Sequence, residues 1–127
     1  MKPKPAVMNV LKGEAVATKA TPYGSVGQLF SGEGIEAVWV AKQDEEIDPG
    51  WFSQGSVDLI LVVQGEFQIE FEDQDFPARR LATGDFMVLP SNTRCRAYRW
   101  PRDRREAGIF VAVYPKSDRA PAGESHT

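Results

Sequence analysis

The residues able to do chemistry are few and unevenly spread. Cys95 is the single cysteine, and Arg94, Arg96 and Arg99 stand close to it in the chain, cations of the kind that stabilise a thiolate. A thiolate nucleophile also needs a base to generate it, and the one histidine, His126, sits in a polar stretch near the last residue. A small buried core thiol is therefore the favoured reading of Cys95. Eight of the nine arginines fall between Arg79 and Arg105, whereas acidic residues crowd Glu33 to Asp75. That asymmetry fits a basic patch for an anionic ligand. It fits better a pairing of Arg79 and Arg80 across a sheet with an acidic outer face. Trp39, Trp51 and Trp100 are candidates for lining a pocket for an apolar or sugar-like ligand, with core packing as the plainer alternative. Glu45-Glu46 and Glu70 with Glu72 are carboxylate pairs, expected in a loop and on an exposed face, where solvation accounts for them.

The elements that must position these groups are strands. Val57 to Phe71 reads VDLILVVQGEFQIEF, an apolar run that stops at Gln64-Gly65 and restarts as a strict alternation. Phe67, Ile69 and Phe71 share one face, and Glu66, Gln68, Glu70 and Glu72 the other, the period of a half-buried strand. The first run fits a strand buried on both faces. So tight a junction predicts an antiparallel hairpin, with Gly65 supplying the turn.

Further strands are expected over Ser25 to Phe30, Ile35 to Ala41, Arg79 to Leu81, Phe86 to Leu89, Arg94 to Trp100 and Gly108 to Tyr114. Ser31-Gly32-Glu33-Gly34, the polar Asp44-to-Gly50 stretch, Asp73-to-Pro77, Thr83-Gly84-Asp85, Ser91-Asn92-Thr93 and Pro101-to-Glu106 separate them. Residues 1–24 read as an arm, with Val7, Met8, Val10 and Leu11 forming a short helical turn or lying across a sheet. Residues 25–114 read as the barrel, and 115–127 as a polar tail expected to be disordered. Short strands at close spacing without a long amphipathic helix describe an all-β sandwich or barrel.

Composition bounds the function. A chain of 127 residues with 42% hydrophobic residues can bury one core, and no apolar run nears the roughly 20 residues needed to cross a bilayer. The stretch MKPKPAVMNVL is broken by Pro3 and Pro5 and does not read as a signal peptide. With one cysteine and no internal disulfide, a reducing, cytoplasmic setting is expected. A net charge of −3 argues against duplex nucleic acid as the main partner. No membrane partner is expected either.

Two stretches together resemble the cupins, small double-stranded β-helix (jelly-roll) barrels whose motifs are G(X)5HXH(X)3,4E(X)6G and G(X)5PXG(X)2H(X)3N. Asp58 and Gly65 keep the acid-to-glycine spacing of the first, with Asp in place of Glu, and Gly84 and Pro90 in GDFMVLP copy the start of the second. The likeness spans about residues 45–100 and implies a single-domain cupin barrel. The ligand positions depart from the family pattern. The paired histidines fall at Phe52 and Gln54 or at Trp51 and Ser53, and the second-motif histidine at Cys95. Its glycine falls at Asn92 and its asparagine at Arg99.

The resemblance therefore implies a barrel without the usual metal, and no cofactor is expected, because transition metals favour several imidazole or thiolate donors, and these positions offer only Asp58, Cys95 and Gln54 or Ser53, a poorly matched set. In the family these positions point into the barrel, so Trp39, Trp51, Gln54, Asp58, Cys95 and Arg99 become the candidate ligand pocket. Cys95, Ala97 and Arg99 share a strand face, and Arg99 is expected to pair with Asp58, to reach a ligand carboxylate or phosphate, or to snorkel to solvent. The first function expected is a metal-free barrel binding a small organic acid or sugar derivative. The alternatives are an isomerase, epimerase or dioxygenase type of enzyme with a non-standard site, using Asp58, Tyr98 or a water with Arg99 at an oxyanion, and a dimeric scaffold. A homodimer is the expected assembly, since sheet edges need covering.

Overall fold

A computed structural model describes residues 4–15, 17–43, 49–103 and 105–116, and nine strands lie among them. They are β1 (Ala17–Thr21), β2 (Gly24–Gly32), β3 (Ile35–Lys42), β4 (Asp58–Gln64), β5 (Glu66–Phe71), β6 (Arg79–Leu81), β7 (Phe86–Leu89), β8 (Cys95–Trp100) and β9 (Gly108–Pro115). Every pairing is antiparallel. The large sheet runs β1-β2-β3-β9-β4-β7 and the small one β6-β5-β8. This is the all-β double-stranded β-helix expected from the motifs. Strands β6 and β7 have the bounds expected, and β9 extends one residue further. The polar Asp44-to-Asp48 segment and residues 117–127 of the tail lie outside the described residues.

The hairpin is corrected. β4 pairs with β9 and β7, while β5 pairs with β6 and β8, so the two strands flanking Gly65 belong to different sheets. Gly65 is buried with φ 79°, a left-handed conformation that glycine takes at little cost, and there the chain steps from one sheet to the other. The alternation identified each strand's faces correctly, but a face does not name its hydrogen-bonding partner. The turn Thr83-Gly84-Asp85 locks onto this corner. Thr83 Oγ1 donates to the Gly65 carbonyl (3.0 Å), the Gly84 amide to Val62 O (2.8 Å), and the Val62 amide to Asp85 O (3.0 Å). Gly84 is at φ 94°, which explains its place in GDFMVLP.

Register fixes which side chains enter the barrel. Val38, Ala112, Ile60 and Met87 form one row across β3, β9, β4 and β7, and they pack against Ile69, Phe71, Leu89 and Cys95 to form the core between the sheets. The residues between them face outward: Ile35, Ala37, Trp39 and Ala41 on β3; Ile109, Val111 and Val113 on β9; Leu59, Leu61 and Val63 on β4; Phe86 and Val88 on β7. None of these is charged. Part of this outer face is covered by the N-terminal arm, whose Val10 and Ala15 pack against the cluster of Trp39, Ala41 and Ile109. A 3-10 turn over Val10–Lys12 holds the arm there, capped by Asn9 Oδ1, which accepts from the Leu11 and Lys12 amides (2.9 and 3.2 Å).

The outer face of the small sheet is polar. Arg94 pairs with Glu72 (2.7 Å) and Arg96 with Glu70 (2.9 Å), so the arginines paired with the acidic face come from β8 and the residue just before it. Of the two expected there from β6, Arg80 donates to Gln68 (3.3 Å) and lies 4.0 Å over the Trp100 ring.

Candidate functional site

The barrel has two polar ends, set by the length of β4. Asp58 opens that strand and pairs with Leu89, and Gln64 closes it beside Ile109. Six residues of extended chain put roughly 20 Å between them. Around Asp58 the chain gathers Gln54, Phe52 and Cys95. Phe52 and Cys95 exchange backbone hydrogen bonds (2.7 and 2.9 Å), and the Gln54 carbonyl accepts from the Asn92 amide (2.6 Å). A residue directly opposite Cys95 shares its inward face. Of the two alignments of the first motif, the one with Phe52 and Gln54 therefore faces the barrel, and Trp51 and Ser53 face away.

Asp58 is 3% exposed. Gln54 Nε2 donates to its Oδ2 (3.0 Å), while Oδ1 is buried with no hydrogen-bond partner among the described residues. Burial raises its pKa to about 6, and the hydrogen bond from Gln54 offsets part of the rise. Glu36 reaches the same end from β3. It pairs with Tyr114, next to Val113, which pairs with Leu59. Glu36 is buried, with Lys116 Nζ 3.2 Å from Oε1, although that contact lacks hydrogen-bond geometry and leaves Oε1 without a hydrogen bond. Sequence reasoning missed Glu36. Its signal was a lone carboxylate on the inward parity of the otherwise apolar IEAVWVA.

Arg99 lies at the other end. It pairs with Phe67, two residues past Gly65, and is 5% exposed. Its Nε donates to Arg102 O (3.1 Å) and Nη1 to Glu106 O (3.3 Å), so the guanidinium ties down the loop before β9. Arg99 does share the inward face with Cys95. The four-step separation along the strand spans roughly 13 Å, which takes Arg99 away from Asp58 and removes the expected ion pair. Lys42, also buried, pairs with Gly108 at this end and donates to Tyr23 O (2.6 Å).

The tryptophans lie elsewhere. Trp39 is on the outward face of β3 beneath the arm, and Trp51 lies under the Arg96 guanidinium (4.6 Å). Of the six pocket candidates, Gln54, Asp58 and Cys95 come together, whereas Trp39, Trp51 and Arg99 do not join them. Tyr98 is outward too. Its hydroxyl donates to Glu70 Oε2 (3.3 Å), and burial, then the charge of Glu70, raises its pKa.

A metal is what this barrel type would hold at such an end, and these residues do not fit one. Among the described residues no three His, Cys, Asp or Glu side chains converge. Gln54 turns its NH2 toward Asp58, and Cys95 packs among Ile60, Ile69, Leu89 and Ala112.

The fold is that of a cupin, and solved structures match it over most of the chain. A Ralstonia eutropha JMP134 protein provisionally named a mannose-6-phosphate isomerase superposes with TM-score 0.68 at 20% identity, covering 89% of this chain and all (100%) of its own. A cupin-like protein from Thermotoga maritima MSB8 gives 0.63 at 18% identity, covering 80% and 78%. KdgF from a Halomonas species gives 0.60 at 24% identity, covering 79% and 86%. No family sequence model and no curated protein sequence matches the chain. Among the described residues no helix is long and apolar enough to cross a membrane.

Proposed function

We propose that the chain is a small-molecule-binding barrel that works without a bound metal and takes its ligand at the Asp58 end. The observation that supports this most is the buried Asp58 carboxyl, one oxygen held by Gln54 and the other without a partner among the described residues. Leaving a buried polar oxygen unmet costs on the order of 1–3 kcal/mol, a cost that a ligand hydroxyl or amide would remove. Of the two ligand classes expected, the sugar derivative is the better supported. The inward acidic groups at this end are the carboxyls of Asp58 and Glu36, which disfavour an organic acid, and the Arg99 guanidinium is committed to backbone carbonyls.

Thermal-shift measurements with neutral sugars and organic acids test this. Neutral polyols are expected to raise Tm in the native protein and to lose that effect in Gln54→Ala. Stabilisation by acids alone, or by nothing, refutes the reading. So does a transition metal bonded to Asp58 that resists dialysis.

A second reading, an acid–base enzyme, is favoured by the Asp58 pKa of about 6, close to where a proton shuttle works best. Tyr98 and Arg99 are not placed to assist, so Asp58 and a water would carry the transfer. Turnover would then follow a group of pKa about 6 and vanish in Asp58→Asn.

A further inference from the structure

We infer that the ligand carries an ammonium group, and that its class is an amino sugar held between Asp58 and Glu36. Such a ligand occupies the metal-free site proposed above, on which this reading rests. The strand register carries it. Glu36 pairs with Tyr114 across β3 and β9, and Leu59 with Val113 across β4 and β9, which sets Asp58 level with Tyr114. Asp58 in turn pairs with Leu89 on β7. Glu36, Tyr114, Asp58 and Leu89 therefore form one row. It lies two residues along each strand from the row of Val38, Ala112, Ile60 and Met87, and so on the same inward face. Two strand spacings, roughly 10 Å of backbone, separate the two carboxyl residues, with an aromatic position between them.

Both carboxyls are buried, and among the described residues Asp58 Oδ1 and Glu36 Oε1 lack hydrogen bonds. With a pKa of about 6, Asp58 is ionised at neutral pH, and no neighbouring positive charge contributes to that value. The buried cations Lys42 and Arg99 are held at the far end by backbone carbonyls. A neutral hydroxyl would fill either empty acceptor yet leave two carboxylates in one row. Buried charge without a counter-charge is costly. An ammonium meets both demands, with three donors and a positive charge, and an aromatic ring alongside favours a cation further.

One ammonium is the number the charges call for. Lys116 Nζ lies 3.2 Å from Glu36 Oε1 and donates to Ser31 Oγ (2.9 Å). The two carboxyls therefore lack one positive charge rather than two, which favours a monoamine over a diamine. Sugar hydroxyls then serve the remaining acceptor lone pairs, which a bare alkylamine cannot do.

Isothermal titration calorimetry at neutral pH tests this with glucosamine, galactosamine and mannosamine, each against its parent hexose and its N-acetyl form. At least one amino sugar is expected to bind about tenfold or more tightly than both counterparts, the gain of a charge-assisted hydrogen bond over a neutral one. Glu36→Gln and Asp58→Asn should each erase most of that advantage. Glu72→Gln, the same loss of charge on the small sheet, should leave it intact. Lys116→Ala, at an exposed position, should strengthen binding of the amino sugar but not of the hexose, which a folding defect would not do. Equal affinity for amino sugar and hexose overturns the inference and leaves the metal-free sugar site standing. An advantage indifferent to both Glu36→Gln and Asp58→Asn overturns it too, as does tighter binding of putrescine than of any amino sugar. Binding of no sugar of any kind overturns this inference together with the reading beneath it.

Discussion

The two sheets enclose one core but present opposite faces to the outside. On the small sheet, every outward position of β5 and β8 is polar or aromatic: Glu66, Gln68 and Glu70 face Arg96, Tyr98 and Trp100, and ion pairs and cation–π contacts knit the surface together. On β3, β9 and β7 of the large sheet, and on β4 as far as Val63, the outward positions are aliphatic or aromatic, and the buried charged groups Glu36, Lys42 and Asp58 lie inward. An antiparallel sheet with one solvated face alternates apolar and polar. The small sheet obeys that rule and the large sheet breaks it. What the difference teaches is that the large sheet needs cover, part of it supplied by the chain's own arm.

Three substitutions probe the contrast. The most damaging should be Gly27→Val. A Cβ at this position would lie 2.5 Å from the Trp39 indole and 2.8 Å from the Ala15 Cβ, so a side chain must push the ring or the arm away. Overpacking of this kind costs about 3 kcal/mol at the upper end of its usual range, read from denaturant unfolding. An unchanged midpoint would mean that the arm does not seal this part of the sheet.

Asp58→Asn should come next, with a pH signature. The native pKa is raised from 3.8 to about 6, so the folded state binds the proton more tightly than the unfolded state does. Native stability therefore falls as pH rises between those values, relative to the Asn variant. The variant should match the native protein near pH 4 and exceed it by about 2–3 kcal/mol above pH 6. A pH-independent gap would show that Asp58 is not the buried titrating acid. Smallest should be Arg94→Ala. Arg94 and Glu72 are about half exposed, 48% and 47%, and such a pair contributes under about 1 kcal/mol, falling with added salt. A larger loss would make the polar ladder a structural requirement of the small sheet.

Much of the architecture was legible in the chain. GDFMVLP marked a turn and strand because Gly84 needs its left-handed backbone, and the alternation in EFQIEF separated inward Phe67 and Ile69 from outward Glu66 and Gln68. Pairing was not legible. Gly65 looked like a hairpin glycine because a tight turn within a sheet and a step between sheets make the same local demand. Trp39 was unreadable for a related reason: when both faces of a strand are apolar, period two says which residues alternate but not which side is the barrel. Arg99 shows a third limit. Its parity with Cys95 was right, yet parity carries no information on height along the strand, and height separates it from Asp58.

One feature of the interior acts over the whole barrel. Its buried ammonium and guanidinium lie toward the Gly65 corner and its buried carboxyls toward the opposite mouth. The barrel is thereby polarised along its length, with a field that strengthens as Asp58 loses its proton. A dipolar guest would enter already aligned, and acidification would relax that alignment without moving a strand.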